Sequence, residues 1–244
     1  MAEAMLRVFR GDAEKGETVD YKVPVEEGMV VLDALHYIQA NYDGDLAVRW
    51  NCKAAKCGSC SAEINGMPKL SCKTRMDSLS HDVPITVYPI KAFPVIKDLV
   101  TDVKWNYQKH KEIPQFTPPE GDDELIMQQE DVERSQEFRK CIECFMCQNI
   151  CHILRDNNAK ESFFGPRYMI KIAELDMHPL DTVDRSELLR KEAGVSYCNI
   201  TKCCTEVCPE SIHITDNAII PLKERVVDNY FDPINWILSK IKEG

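Results

Sequence analysis

Nothing in this sequence approaches the run of about eighteen apolar residues that can cross a bilayer, so any link to a membrane is expected to go through a partner. The opening MAEAMLRVFRGDAEKG is charged from its third residue and lacks an apolar core, which reads as no secretory signal. No G-x-G-x-x-G or P-loop pattern appears, so a flavin or nicotinamide, if the chemistry needs one, belongs to another subunit. A basic excess is also missing. The formal net charge of -10 argues against nucleic acid and reads first as solubility, with steering of a partner as the competing role. What the chain does hold is cysteine. The twelve cysteines fall in tight groups, which favours metal over a disulfide scaffold and a reducing compartment over an oxidising one.

The chain is long enough for two small domains. LRVFRG and TVDYKVPV alternate apolar and polar residues around the turn GDAEKGE, which predicts a β-hairpin. Val31, Leu32, Leu35, Tyr37 and Ile38 recur at helical spacing and predict a helix that Asn41 to Gly44 stops. Asn65-Gly66 predicts a tight turn between two short strands, and PITVYPI a last one. The predicted α+β domain ends near Pro89. KDLVTDVKWNYQKH then predicts a helix, and EIPQFTPPEGDDE is a proline-rich acidic connector. Further helices are predicted over 138–154, 167–176, 185–192 and 217–230, so the second domain reads as mostly helical. The closing PINWILSKIKE is amphipathic, with Ile234, Ile237, Leu238 and Ile241 on one face. It is expected to pack in a core or against a subunit, with membrane contact as the alternative.

Three cysteine groups carry the chemistry. Cys52, Cys57 and Cys60, spaced C-x4-C-x2-C, with Cys72 further on, form the plant-type arrangement for a [2Fe-2S] cluster. Ala54, Gly58 and Ser59 are small enough to bring loop amides close to the sulfurs. Zinc is the competing occupant, although its sites usually present two separated C-x2-C pairs. Lys53, Lys56 and Lys73 flank this loop as solvated charges, with partner docking or a raised cluster potential as the other reading. CIECFMCQNIC holds Cys141, Cys144, Cys147 and Cys151 in a ferredoxin run, and CNITKCCTEVCP holds Cys198, Cys203, Cys204 and Cys208. The second run has Thr201 where its second cysteine would stand. In two-cluster ferredoxins the fourth cysteine of each run ligates the other cluster. That rule groups Cys141, Cys144, Cys147 and Cys208 for [4Fe-4S], and leaves Cys151, Cys198 and Cys204 for a second cluster. A hydroxyl is a poor ligand for iron beside thiolates, so a vacant corner at Thr201 predicts [3Fe-4S]. Cys203 could fill that corner. Adjacent residues on a helical turn point about 100° apart, so a packed or inert Cys203 is the expectation. His36, His81, His110, His178 and His213 are scattered and read as ordinary surface or core residues. His152, directly after Cys151, could hydrogen-bond near the third cluster or be an ordinary helix residue.

In their order, CKAAKCGSC with Cys72, CIECFMCQNIC and CNITKCCTEVCP resemble the iron-sulfur subunit of the succinate dehydrogenase and fumarate reductase family over nearly the whole chain. The resemblance implies an N-terminal plant-type ferredoxin domain (β-grasp-like), residues 1–105, and a mostly helical bacterial-type domain, residues 106–244. It implies the same three ligand sets: Cys52, Cys57, Cys60 and Cys72 for [2Fe-2S]; Cys141, Cys144, Cys147 and Cys208 for [4Fe-4S]; Cys151, Cys198 and Cys204 for [3Fe-4S]. A separate FAD-containing flavoprotein subunit would oxidise succinate. This chain, with no dicarboxylate site or catalytic residue of its own, would relay single electrons toward quinone at a membrane anchor, peripheral on the cytoplasmic face of the cell membrane. That is the part of succinate:quinone oxidoreductase, respiratory complex II of the tricarboxylic acid cycle. The alternative is the carrier subunit of another oxidoreductase: a fumarate reductase, or a heterodisulfide-reductase-like or glycolate-oxidising complex. One departure stands out. Better-known ubiquinone-reducing members have a proline directly after the last cysteine of the first helical run and a tryptophan shortly beyond; here Cys151 is followed by HILRDNN, so no quinone contact is carried over beyond His152 as a candidate.

Overall fold

The computed structural model describes residues 2–121 and 126–233. In chain order the strands and first helices are β1 (Ala2–Gly11), β2 (Gly16–Val25), α1 (Val31–Asn41), β3 (Ser61–Ile64), β4 (Met67–Leu70), β5 (Ile85–Tyr88), β6 (Val95–Lys97), β7 (Val100–Thr101) and α2 (Lys104–Glu112). Helices follow: α3 (Gln129–Arg139), α4 (Met146–Ile150), α5 (His152–Arg155), α6 (Pro166–Asp176), α7 (Ser186–Lys191), α8 (Cys203–Glu206) and α9 (Ile220–Phe231). Among the described residues no helix is long and apolar enough to cross a membrane. The chain forms two compact units. One comprises Met1–Trp105 with Ile142–Ile150 and Val207–Pro209; the other comprises Asn106–Cys141, Cys151–Glu206 and Glu210–Gly244.

In the first unit the alternation of β1 and β2 puts Leu6, Val8, Tyr21 and Val23 on one buried face. The two strands pair antiparallel from Ala2 opposite Val25 to Gly11 opposite Gly16, as the hairpin pattern predicts. α1 starts where the Asp33 carboxylate accepts the Val30 amide at 3.1 Å, and it lays Val31, Ala34, Leu35 and Ile38 on the sheet. Asn65 (φ 51°) and Gly66 (φ 77°) turn β3 into β4, the left-handed pair that a two-residue hairpin demands. β5 runs parallel to β1 and antiparallel to β3, which gives the order β2-β1-β5-β3-β4. Each aliphatic side chain buried in this core contributes about 1.5–3 kcal/mol.

Two helical expectations need correction. The stretch 97–110 is helical only from Lys104, where the Asp102 carboxylate accepts the Lys104 amide at 2.9 Å. Its first residues are β-structured instead, because the buried Asp98 carboxylate accepts the amides of Gly11 and Ala47 and holds that segment against the hairpin. The stretch 138–154 is not one helix. α3 stops at Arg139, the chain passes through left-handed Glu143 (φ 53°) and Phe145 (φ 58°), and α4 and α5 are separate short turns around Cys151. In the first unit α4 packs on β4, and Asn149 is wholly buried there. Its side chain donates to Glu63 at 2.9 Å and accepts the Ala92 amide at 2.9 Å, while Lys91 pairs with the other Glu63 oxygen at 2.9 Å.

In the second unit α6 begins at left-handed Gly165 followed by Pro166, the favoured residue at a first helical position. It buries Tyr168, Met169, Ile172 and Ala173 and packs against α3 and a π-helical turn over Ile214–Ile219, which precedes α9. The predicted helix 217–230 is thus split between that turn and α9. The connector is tied down by Arg185, fully buried, which pairs with Asp181 at 2.8 Å and donates to the Pro114 and Gln115 carbonyls. The amphipathic closing stretch, from Ile234 on, lies outside the described residues.

Candidate functional site

The first cysteine group lies on the loop between α1 and β3, closed by Cys72 just after β4. Lys53 (φ 54°), Ala55 (φ 55°) and Gly58 (φ 68°) are left-handed, and this alternation winds the backbone into a concavity of amides, the shape that receives anionic centres. The amides of Ala54 and Lys56 donate to the Cys52 sulfur at 3.3 and 3.4 Å, and that of Ala55 to the Cys72 sulfur at 3.3 Å. The four thiols interact, Cys57 with Cys52 and Cys60 with both Cys72 and Cys57. Burial alone would raise Cys57, but the Ser59 hydroxyl at 3.1 Å, the Ser59 amide and Cys52 outweigh it and hold the thiol at about 6. Burial pushes Cys60 up to about 12. Four interacting thiols with amides aimed at their sulfurs fit a [2Fe-2S] cluster, which Cys52, Cys57, Cys60 and Cys72 would hold. Among the described residues no three or more His, Cys, Asp or Glu side chains are grouped to hold one metal ion.

Gly58 also explains where the second group sits. A Cβ on it would fall 2.7 Å from the Cys144 Cα and 2.7 Å from the Ile142 carbonyl oxygen, so only glycine permits the two cysteine loops to touch. The Ser61 hydroxyl bridges them, 2.9 Å from both the Gly58 and the Cys144 carbonyl, with its one proton shared between the two acceptors. Cys60 and Cys144 belong to one apolar cluster with Leu70 and Met146, joined by Ile142 and Val207. Cys144 and Cys147 are buried; Cys141 and Cys208 are partly so. Glu143 and Phe145 repeat the left-handed alternation of the first loop.

The third group gathers in the second unit. Ile200 (φ 62°) and Lys202 (φ 61°) flank Thr201 with the same alternation, and the Ile200 amide reaches the Cys198 sulfur at 3.5 Å. Burial pushes Cys151 and Cys204 up to about 11, so their thiolates would need the charge compensation that a metal can supply. The Cys204 sulfur lies 3.4 Å from the Thr215 hydroxyl. The Cys203 sulfur lies 3.3 Å from the Thr201 hydroxyl. His152 accepts at Nε2 a hydrogen bond from the Asn199 side chain, 2.9 Å, which links the residue after Cys151 to the residue after Cys198.

The other histidines have structural neighbours. His36 packs edge-on to Trp50, His81 meets the Met76 carbonyl at 3.0 Å, His110 lies beside Tyr168, His178 accepts the Leu180 amide at 3.2 Å, and His213 pairs with Glu137 at 2.8 Å. Of the flanking lysines, Lys53 sits over the Trp50 ring and Lys73 donates to the Pro209 carbonyl at 3.3 Å. The amides turned toward the Cys52 and Cys72 sulfurs match the close approach expected of the loop with Ala54, Gly58 and Ser59; the contact of Gly58 with Cys144, the Glu63–Asn149 network and the left-handed backbone of the two later runs were missed by sequence reasoning. The one available signal was the small residue between Cys57 and Ser59.

Comparison with known proteins bears on these sites directly. The family described as "2Fe-2S iron-sulfur cluster binding domain" matches residues 5–108, and the one described as "4Fe-4S dicluster domain" matches residues 137–212. The chain is 30% identical over 212 residues to the fumarate reductase iron-sulfur subunit of Mycobacterium tuberculosis, covering 84% of each chain. The chain belongs to the succinate dehydrogenase and fumarate reductase iron-sulfur subunit family. Within that family, the structure titled "Mycobacterium smegmatis Sdh1 complex in the apo form" contains a chain 63% identical, with TM-score 0.92, covering 95% of this chain and 98% of that one. A fumarate reductase (CoM/CoB) subunit of Methanothermobacter marburgensis is 30% identical over 219 residues, 90% of this chain and 43% of that relative. The chain spans about two fifths of the length of this and two further relatives, at 40% and 43%.

Proposed function

We propose that this chain is the electron-transfer subunit of a succinate:quinone oxidoreductase, respiratory complex II. An FAD-bearing flavoprotein partner would oxidise succinate, and a membrane anchor would present quinone on the cytoplasmic side. In this reading residues 1–105 form a plant-type, β-grasp-like ferredoxin domain and residues 106–244 a bacterial-type one. Cys52, Cys57, Cys60 and Cys72 hold [2Fe-2S]; Cys141, Cys144, Cys147 and Cys208 hold [4Fe-4S]; Cys151, Cys198 and Cys204 hold [3Fe-4S], with Thr201 at the vacant corner. Bound clusters would supply one-electron carriage, while the two-electron chemistry belongs to flavin.

The observation that carries the reading is the backbone contact of Gly58 with Cys144, which sets the first cysteine loop directly against the second. The chain's own residues then tune the sites. Simple plant-type centres lie near about -400 mV, too low for a weak reductant such as succinate. Amide donors to Cys52, Cys72 and Cys198 and the hydroxyl beside Cys57 stabilise added negative charge and raise the potential. Burial excludes water from Cys60, Cys144, Cys147, Cys151 and Cys204.

EPR of the purified complex tests this. As isolated it is expected to show an oxidised-state [3Fe-4S] signal, and after succinate a reduced [2Fe-2S] signal. Zinc without acid-labile sulfide, or clusters that succinate does not reduce, would overturn the reading. Relatives named for fumarate reductase make fumarate the second substrate to try, and reoxidation of the reduced clusters by fumarate would favour that direction.

A further inference from the structure

In the second unit a cavity of about 360 Å³, inside the range of roughly 300–1,000 Å³ typical of small-molecule sites, has no cysteine in its wall. Lys171 and Glu174 reach it from α6, and Arg139 from the last position of α3. Both cations converge on one carboxylate: Lys171 pairs with one Glu174 oxygen at 3.2 Å, while Arg139 stands 3.9 Å from the other, beyond hydrogen-bond reach. In a chain of net charge -10, this wall keeps one positive charge uncancelled. A cation at Arg139 also complements the end of α3, but Lys171 lies in the middle of α6, where that role does not explain it. His178 accepts the Leu180 amide at Nδ1, 3.2 Å, so the other nitrogen of the neutral ring carries the proton and donates. Phe116 and Leu175 add apolar wall, the Phe116 ring standing edge-on to His178 with centroids 4.9 Å apart. The backbone on both sides of Phe116 is pinned. Fully buried Arg185 donates to the Pro114 and Gln115 carbonyls at 3.0 Å each, and the Thr117 carbonyl accepts the Thr182 amide and hydroxyl at 3.0 Å each. The proline-rich connector is thereby fixed as one side of a preformed cavity.

We propose that this cavity binds a phosphate monoester, with the phosphate between Arg139 and Lys171 and the ester's flat organic part against Phe116 and Leu175. A carboxylate would be satisfied by the planar arginine fork alone. A phosphate monoester brings three terminal oxygens and a charge of about -1.5 to -2, which answers two cations on two different helices and the added imidazole donor. Glu174 keeps the two cations in place when the site is empty and competes with the phosphate for them. Its removal should therefore strengthen binding. The inference stands apart from the cluster assignments, since no ligand cysteine lines the cavity.

The test titrates the purified complex with phenyl phosphate at about pH 7.5, where the ester is mostly a dianion, and reads binding by calorimetry. Binding elsewhere in the complex is common to all variants and subtracts out. The double variant Arg139→Gln, Lys171→Gln is expected to weaken binding about tenfold or more, the loss of charged hydrogen bonds. Phe116→Ala should reduce the preference for phenyl phosphate over inorganic phosphate about two- to tenfold. Glu174→Gln should bind more tightly than wild type, a gain that misfolding cannot produce. Absence of binding by wild type, equal binding by the double variant, or weaker binding by Glu174→Gln each overturns the proposal, and equal affinity for benzoate overturns the choice of phosphate. Sedimentation with phosphatidic acid vesicles, competed away by phenyl phosphate, supports the site with a lipid headgroup as the monoester. Phenyl phosphate binding without vesicle binding supports it with a soluble ester.

Discussion

At the scale of single residues, Gly58 decides whether two cysteine loops can meet. Its φ of 68° and the 2.7 Å approach to the Cys144 Cα leave no room for a side chain. Gly58→Ala would add about 1–2 kcal/mol of left-handed strain and about 1–3 kcal/mol of overpacking. The expected result is a destabilisation of roughly 2–5 kcal/mol with both neighbouring sites disturbed, read by thermal unfolding and by the [2Fe-2S] EPR line shape. Unaltered line shape and stability would show that the loops separate without cost. Ser59 makes a milder case. Its hydroxyl lies 3.1 Å from the Cys57 sulfur, and a neutral hydrogen bond is worth ~1 kcal/mol, which at 59 mV per tenfold for one electron is about 40 mV. Ser59→Ala should therefore lower the [2Fe-2S] midpoint potential by about that much in a redox titration, and a rise would contradict the role given to sulfur hydrogen bonds.

Among elements, α3 is held to the turn before α9 by one carboxylate. Glu137 accepts the His213 amide at 2.7 Å and its ring nitrogen at 2.8 Å with one oxygen, and the Asn217 side chain with the other. Burial alone would raise this carboxyl, but those bonds win and keep it below the usual carboxylate range. The folded state thus binds fewer protons at Glu137 than the unfolded state does. The contribution is fully present above about 4.3, the unfolded value, and is lost as pH falls through the folded one. Wild-type stability from about pH 6 to about pH 3 should fall more steeply than that of Glu137→Gln, measured by denaturant unfolding; parallel curves would mean that the carboxylate is not linked to folding.

The same elements show what the chain's pattern reveals about fold and site. The hairpin, α1 and the Asn65-Gly66 turn were legible because each is set by local alternation, helical period or turn chemistry. The two iron-sulfur domains were legible because the spacing within each cysteine run is a local property. The break in 138–154 was not. Its apolar residues keep helical spacing, and nothing local announces the left-handed backbone at Glu143 and Phe145. Asn149 looked like any helix residue, since nothing local announces that it will bury itself between Glu63 and the Ala92 amide.

For the molecule as a whole, the cysteine loops have backbone that does not hold itself. Lys53, Ala55, Glu143, Phe145, Ile200 and Lys202 are left-handed without being glycine, each costing about 1–2 kcal/mol, together a sum comparable to the net stability of a typical domain at about 5–15 kcal/mol. The helices joined to them, Met146–Ile150, His152–Arg155 and Cys203–Glu206, are far shorter than the roughly 12 residues an isolated helix needs. Packing of α4 on β4 and the Asn149 network offset part of this in the second loop, and metal–thiolate bonds would supply the rest, so metal binding and local folding should be coupled. The sheet core is different: Leu6, Val8, Leu35, Ile38, Ile64 and Val87 are fully buried by apolar packing that involves no cysteine ligand. Stripping iron from the complex with ferricyanide and a chelator should abolish amide hydrogen-exchange protection in 52–60, 141–155 and 198–208 while β1, β2 and α1 keep theirs. Reconstitution with iron and sulfide should restore it. Protection that survives in the loops after iron removal would show that packing alone supports the left-handed backbone, and protection lost uniformly would show that the sheet depends on the clusters as well.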